Sequence, residues 1–153
     1  MQRPTGPVPP LDLSVCIVTW NVKDDLARCL ASLAEGNEDI TWEVIVVDNA
    51  SSDGTVQMLA ECFPAVRVVA NDVNVGFAAA NVTAMREARG RFILLLNPDT
   101  TVPPGALSQL VRFAEHHPRA GVIGPKLVYA DGRLQYSCRR FPTIGAALFR
   151  NTW

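Results

Sequence analysis

Three short polar clusters in this chain each follow an apolar run. Thr19 and Asn21 come after "LSVCIV", Asp48 and Asn49 close "WEVIVVDN", and Asn97 and Asp99 come after "RFILLL". A carboxylate at the tip of a buried segment is held by everything behind it, so it can accept one ligand hydrogen bond or hold a hard cation. Pro98 strengthens this reading for the third cluster. It disfavours helix at Asn97 and presets the turn, which aims the Asn97 and Asp99 side chains in defined directions. Mg2+ is often bound by one or two such carboxylates, with ligand phosphates and water completing its octahedron. Asp48 directly follows Val46 and Val47 and comes too early to cap the next helix. Ser51 or Ser52 suits that capping role, and Asp53-Gly54 suits turn chemistry with a favourable charge at a helix N-terminus.

Apolar patterning sets out the elements that must position these residues. Strand-like runs at 13–20, 42–48, 66–70, 91–96 and 120–124 alternate with helical patterns. In "DDLARCLASLAEG" the leucines Leu26, Leu30 and Leu33 recur at helical spacing until Gly36. "TVQMLAECF" is closed by Pro64, "GFAAANVTAMREARG" by Gly90, and "GALSQLVRFAEHH" by Pro118. The resulting order, β-α-β-α-β-α-β-α-β, predicts an α/β domain with a Rossmann-like, mostly parallel sheet and helices on both faces. Near-continuous Val, Ile and Leu in the strands predicts burial on both sides. Ligands of such sheets bind beyond the carboxyl ends of the strands, the rim where all three polar clusters fall. Further along, Asp131-Gly132 between two alternating stretches predicts a hairpin turn, and that role accounts for Asp131.

Bulk properties narrow the classes. A chain of 153 residues, 48% hydrophobic, builds one domain with a sizeable core. Fourteen basic against fifteen acidic residues leave a net charge of -1, so no nucleic acid or anionic surface is expected as partner from charge. Cys16, Cys29, Cys62 and Cys138 form no C-x-x-C pair, and the first three, in apolar periodic segments, read as buried thiols of a reducing compartment. The proline-rich start, residues 1–11, reads as a disordered lead-in without a signal-peptide pattern, and no apolar run reaches the roughly 18 residues of a spanning helix. Neither G-x-x-x-x-G-K-[ST] nor G-x-G-x-x-G after the first strand is present, so a bound nucleotide would need a metal to manage its diphosphate.

In their order and intervals, "SVCIVTWN", "VVDNASSDGT", "NVGFAAAN" and "LLLNPDT" resemble the N-terminal, nucleotide-sugar-binding half of family 2 glycosyltransferases of the GT-A fold, especially bacterial rhamnosyltransferase-like members. The resemblance covers about residues 12–150. It implies inverting transfer of a sugar from a dTDP- or UDP-sugar to the hydroxyl of a glycan or lipid-linked acceptor. By the same resemblance Thr19 and Asn21 line the nucleoside pocket, and Asp48, with Asn49 beside it, accepts the pyrimidine N–H. Asn74, Gly76 and Asn81 border base and diphosphate; Phe77 in the same stretch reads as core. Asn97 and Asp99 occupy the outer positions of the family's D-x-D motif, Asn97 facing the ribose and Asp99 holding Mg2+ or Mn2+. Asn97 replaces an aspartate there and contributes no charge, so the metal relies on Asp99. A cytoplasmic location, with the full enzyme peripheral to the inner face of the membrane, accompanies this expectation. The family's catalytic base comes from a second half, and no Asp or Glu follows Ser137, so no catalytic residue is assigned. The alternative expectation is a catalytically silent, truncated nucleotide-binding fragment.

Overall fold

The computed structural model describes residues 11–135, which divide at Pro118 into two units. The larger unit runs β1 (Leu11–Thr19), α1 (Lys23–Leu33), β2 (Trp42–Asp48), α2 (Thr55–Cys62), β3 (Arg67–Ala70), α3 (Phe77–Glu87), β4 (Gly90–Leu96) and α4 (Ala106–His116). The strands form one sheet in the order β3-β2-β1-β4, and every pairing is parallel. In register, Thr19 lies opposite Asp48 and Ile17 opposite Leu96, so the strand ends form a common rim.

Helices cover both faces, as the alternating pattern predicts. On one face Leu26, Cys29, Leu30 and Leu33 of α1, Leu59 of α2 and Leu107 and Val111 of α4 pack with the odd-numbered β1 residues Leu13, Val15 and Ile17. A fully buried leucine of this kind contributes about 2 kcal/mol. On the other face α3 presents only Ala80 and Ala84 to Cys16, Val18, Ile45 and Val47, and these small side chains let the helix sit close to the sheet.

Several expectations are corrected. β1 begins at Leu11 and ends at Thr19, leaving Trp20 exposed in the turn. β4 is one of the two edge strands among the described residues and alternates: Phe92, Leu94 and Leu96 pack on the first core, while Ile93 and Leu95 are exposed. The reason is that α3 sits over β1 and β2, so burial on both sides holds for the central strands alone. Residues 120–124 form no strand; that stretch pairs with no neighbour among the described residues. Cys62 is exposed at the last turn of α2, where the buried stripe of that helix is Thr55 and Leu59. Cys16 and Cys29 are buried as expected, and burial pushes both thiols up to about 11, which keeps them protonated and unreactive at neutral pH. Cys138 and residues 1–10 lie outside the described residues. In the smaller unit the expected hairpin turn is present. Val128 bridges Leu134 antiparallel, Gly132 adopts φ +80°, and Asp131 accepts the Arg133 backbone N–H at 3.0 Å.

The approach of β4 to β1 leaves no room at Gly90. A Cβ there would lie 2.4 Å from the Ser14 nitrogen and 2.5 Å from the Leu13 carbonyl carbon. Gly90→Ala must therefore push the two strands apart, and a loss of about 3 kcal/mol is expected in urea unfolding. A midpoint within error of the parent would contradict the close approach.

Candidate functional site

The carboxyl rim is organised by hydrogen bonds between loops distant in sequence. Asp53, in the β2–α2 turn, caps two helices at once. One carboxylate oxygen accepts the Lys23 N–H that opens α1 (2.9 Å), and the other accepts the Thr55 N–H (3.1 Å) and hydroxyl (2.6 Å) that open α2. These bonds, the Thr55 hydroxyl foremost, hold the Asp53 carboxyl below its ordinary value of 3.8. The turn reading of Asp53-Gly54 is thus correct, and the capping expected of Ser51 or Ser52 is done by Asp53. The serines have another task. Ser51 Oγ accepts the Asn21 N–H at 2.9 Å, and the Ser52 N–H donates to Asn21 Oδ1 at 2.8 Å, which stitches the β1–α1 turn to the β2–α2 turn. Asn21 adopts φ +54°, a left-handed conformation that asparagine tolerates better than most residues.

Within this frame Thr19 and Asp48 face each other in register at the ends of the two central strands, both about 1% exposed. Asp48 Oδ2 accepts the Ser51 N–H at 2.9 Å and so shapes its own loop, in which Ala50 is held at φ +61°. Asp48 Oδ1 and Thr19 Oγ1 are buried with no hydrogen-bond partner among the described residues. A buried acceptor without a donor costs about 1–3 kcal/mol, more when charged, so this pair keeps capacity for a donor that the described residues do not supply.

The neighbouring β3–α3 loop is tied to the same rim. The buried Asn49 accepts from Asn71 Nδ2 at 2.9 Å and donates to the Gly76 carbonyl at 3.4 Å. Asn74 Oδ1 accepts the Gly76 N–H at 2.9 Å. Gly76 itself adopts φ 84°, ψ 163°, a region open essentially to glycine alone. Asn81 is buried on α3 and spends its amide on the Phe77 carbonyl at 2.9 Å. Phe77, expected in the core, is 62% exposed, because α3 turns its alanines to the sheet and its first residue to the open rim.

Asn97 and Asp99 lie on the β4–α4 turn, both exposed, and neither side chain takes a hydrogen bond among the described residues. The turn closes on itself through Thr100 N–H to the Asn97 carbonyl. No group of three His, Cys, Asp or Glu that could hold a metal occurs among the described residues, so Asp99 is a lone carboxylate whose free oxygens suit an ion already carried by phosphates. Elsewhere, an open groove of about 460 Å³ lies beside Asp39 and α4, but there Asp39 is already satisfied by Ser108 and Arg112. Asn71 was not singled out by spacing, and Ser51 only as a helix cap; both sit in polar stretches where nothing in the order of residues marks the partners they take here.

An open parallel sheet with a polar rim and paired unsatisfied acceptors at its central strand ends defines a ligand-binding α/β domain. Residues 14–151 match the model of the Glycosyl transferase family 2 family, and the chain belongs to that family. It is 32% identical over 143 residues to an N-acetylglucosaminyl-diphospho-decaprenol L-rhamnosyltransferase of Mycobacterium tuberculosis, an alignment covering 86% of this chain and 46% of the relative. It is 35% identical over 105 residues to the succinoglycan biosynthesis protein ExoO of Rhizobium meliloti, covering 68% of this chain and 30% of that one. The chain thus spans at most about half the length of these relatives. Among solved structures, S. aureus TarS in complex with UDP-GlcNAc superposes with a TM-score of 0.63 at 26% identity, covering 71% of this chain and 32% of TarS. The mannosyltransferase PcManGT of Pyrobaculum calidifontis, in complex with GDP-Man and Mn2+, gives 0.61 at 30% identity, over 72% of this chain and 36% of that one. The fold is the GT-A type of these glycosyltransferases.

The double cap makes a stability prediction with a definite pH sign. Asp53→Ala removes both caps and is expected to cost about 2 kcal/mol at pH 7, since one cap is worth roughly 1 kcal/mol. Because the folded carboxyl is held below its ordinary value, its contribution is present above about pH 3.8 and lost as pH falls through the lowered folded value. Urea unfolding of parent and variant should therefore converge in acid; a gap that widens there would contradict the cap.

Proposed function

We propose that this chain binds the nucleotide diphosphate of a dTDP- or UDP-sugar along the carboxyl rim, for inverting transfer of the sugar to an acceptor hydroxyl. The observation that carries this reading is the buried pair of unpartnered acceptors, Asp48 Oδ1 and Thr19 Oγ1. A uracil or thymine ring offers an N–H to such a carboxylate, whereas cytosine presents a lone pair at the same ring position and meets repulsion. Asn97 would accept or donate to a ribose hydroxyl from the β4–α4 turn. Asp99 would hold Mg2+ or Mn2+ once the diphosphate supplies the remaining oxygens. A divalent ion bound there supplies charge neutralisation for the departing diphosphate. The paired turns of Asn21, Ser51, Ser52 and Asp53 keep the rim rigid, which is what electrostatic preorganisation requires.

The UDP-GlcNAc complex of TarS and the Mn2+ complex of PcManGT support donor and metal binding by this fold. The mycobacterial rhamnosyltransferase, whose name gives a decaprenol-linked acceptor, supports a lipid-linked acceptor; action at the inner face of the membrane is proposed with it. For these 153 residues the proposal is donor binding; deprotonation of the acceptor is assigned to none of them. Asp131, the one late carboxylate, belongs to its hairpin turn, where Arg133 binds both of its oxygens.

Calorimetric titration tests the assignment. UDP and dTDP are expected to bind more tightly with Mn2+ than without, and at least about tenfold more tightly than CDP, a gap of about 1.4 kcal/mol. Asp48→Ala should remove the discrimination against CDP, and Asp99→Ala should remove the Mn2+ enhancement. Equal affinity for UDP and CDP would sink the pyrimidine assignment.

A further inference from the structure

Two α1 residues lie beneath the turn that carries Asp99. The Ser32 hydroxyl donates to the Cys29 carbonyl at 2.7 Å, and its oxygen accepts the Val102 N–H at 3.0 Å. One turn earlier on the same helix, Cys29 Sγ lies 3.8 Å from the Asn97 carbonyl, in hydrogen-bonding geometry. The Val102 side chain is buried in the adjoining core with Leu107 and Val111. The segment 97–102 is therefore pinned two residues before Asp99 and again three residues after it, while Asp99 itself stays exposed. Nothing else among the described residues hydrogen-bonds across to this segment from another element. Ser32 and Cys29 stand at i and i+3 on α1, so a single rigid helix face bears both anchors.

We infer that Ser32 and Cys29 are positioning residues, which set the height and direction of the Asp99 carboxylate through the backbone of the 97–102 turn. The inference rests on the proposed role of Asp99 toward a divalent ion. The physical reason is that a lone carboxylate contributes little unless it is preorganised, and among the described residues no hydrogen bond to the Asp99 side chain itself does that. Groups one layer behind a metal ligand alter metal affinity or activity by about tenfold or more when removed. Ser32 is the stronger anchor because its hydroxyl is engaged both ways: it donates to its own helix and accepts the backbone N–H of the turn. The Cys29 thiol makes the longer, weaker contact, and its burial in the helix-facing core keeps it from any chemistry of its own.

The test uses the whole chain, with amide hydrogen exchange and UDP titration run in parallel. Ser32→Ala is expected to speed exchange of the Thr100 and Val102 amides while leaving those of β4 and α1 protected. It should weaken UDP binding in the presence of Mn2+ by about tenfold, and clearly more than binding in the absence of metal. Ser32→Thr, which keeps the hydroxyl, should restore both readouts, and Cys29→Ala should show the same pattern more weakly. A purely structural serine would lower the unfolding midpoint without changing the ratio of affinities with and without Mn2+, and that result would overturn the inference. Unchanged exchange at Val102 would overturn it as well. Failure of the underlying function is read separately, from the unsubstituted chain: no Mn2+ enhancement there would refute the metal role of Asp99 and the positioning role with it.

Discussion

The structure depends on the parallel pairing of β1 with β2 on one side and β4 on the other. Parallel strands put all their carboxyl ends on one rim, and the register places Thr19 beside Asp48 with the end of β4 next to them. Everything polar that matters then competes for a small area at the edge of an apolar core. The two cores behind it are unequal. Leucines from three helices fill one face, and two alanines of α3 seat that helix closely on the other. Asp48 stands at that edge about 1% exposed, with one oxygen left without a donor among the described residues.

That constraint explains the division of labour among the rim residues. Most of the asparagines, serines and aspartates there are used up by the protein itself. Asp53 caps two helices, Asn21 and the two serines join two turns, and Asn49 links Asn71 to the Gly76 carbonyl. Among the described residues, spare capacity remains at one oxygen of Asp48 and the Thr19 hydroxyl, both buried, and at exposed side chains that include Asn97 and Asp99. Spare hydrogen-bonding capacity on a braced backbone is what separates a ligand-binding group from a structural one, and the same residue types fall on both sides of that line. Membership of the glycosyltransferase family is compatible with a rim whose polar groups the protein itself uses only in part.

The sequence by itself determined the alternation of elements, the parallel sheet, the family and the three strand ends where ligand chemistry belongs, because hydrophobic period and turn residues are local properties. Pro98 before Asp99 and Asp48 after two valines were visible without any contact map. What only the tertiary structure decided is which polar side chains are already satisfied. The partners of Asn21, Asp53 and Ser32 lie 31, 30 and 70 residues away, and no local pattern encodes such pairs. The exposure of Phe77 and of Ile93 and Leu95 was settled in the same way, by where α3 sits on the sheet rather than by the apolar character of those residues. Residue type states what a side chain can do; the packed fold decides whether its hydrogen bonds remain free to do it.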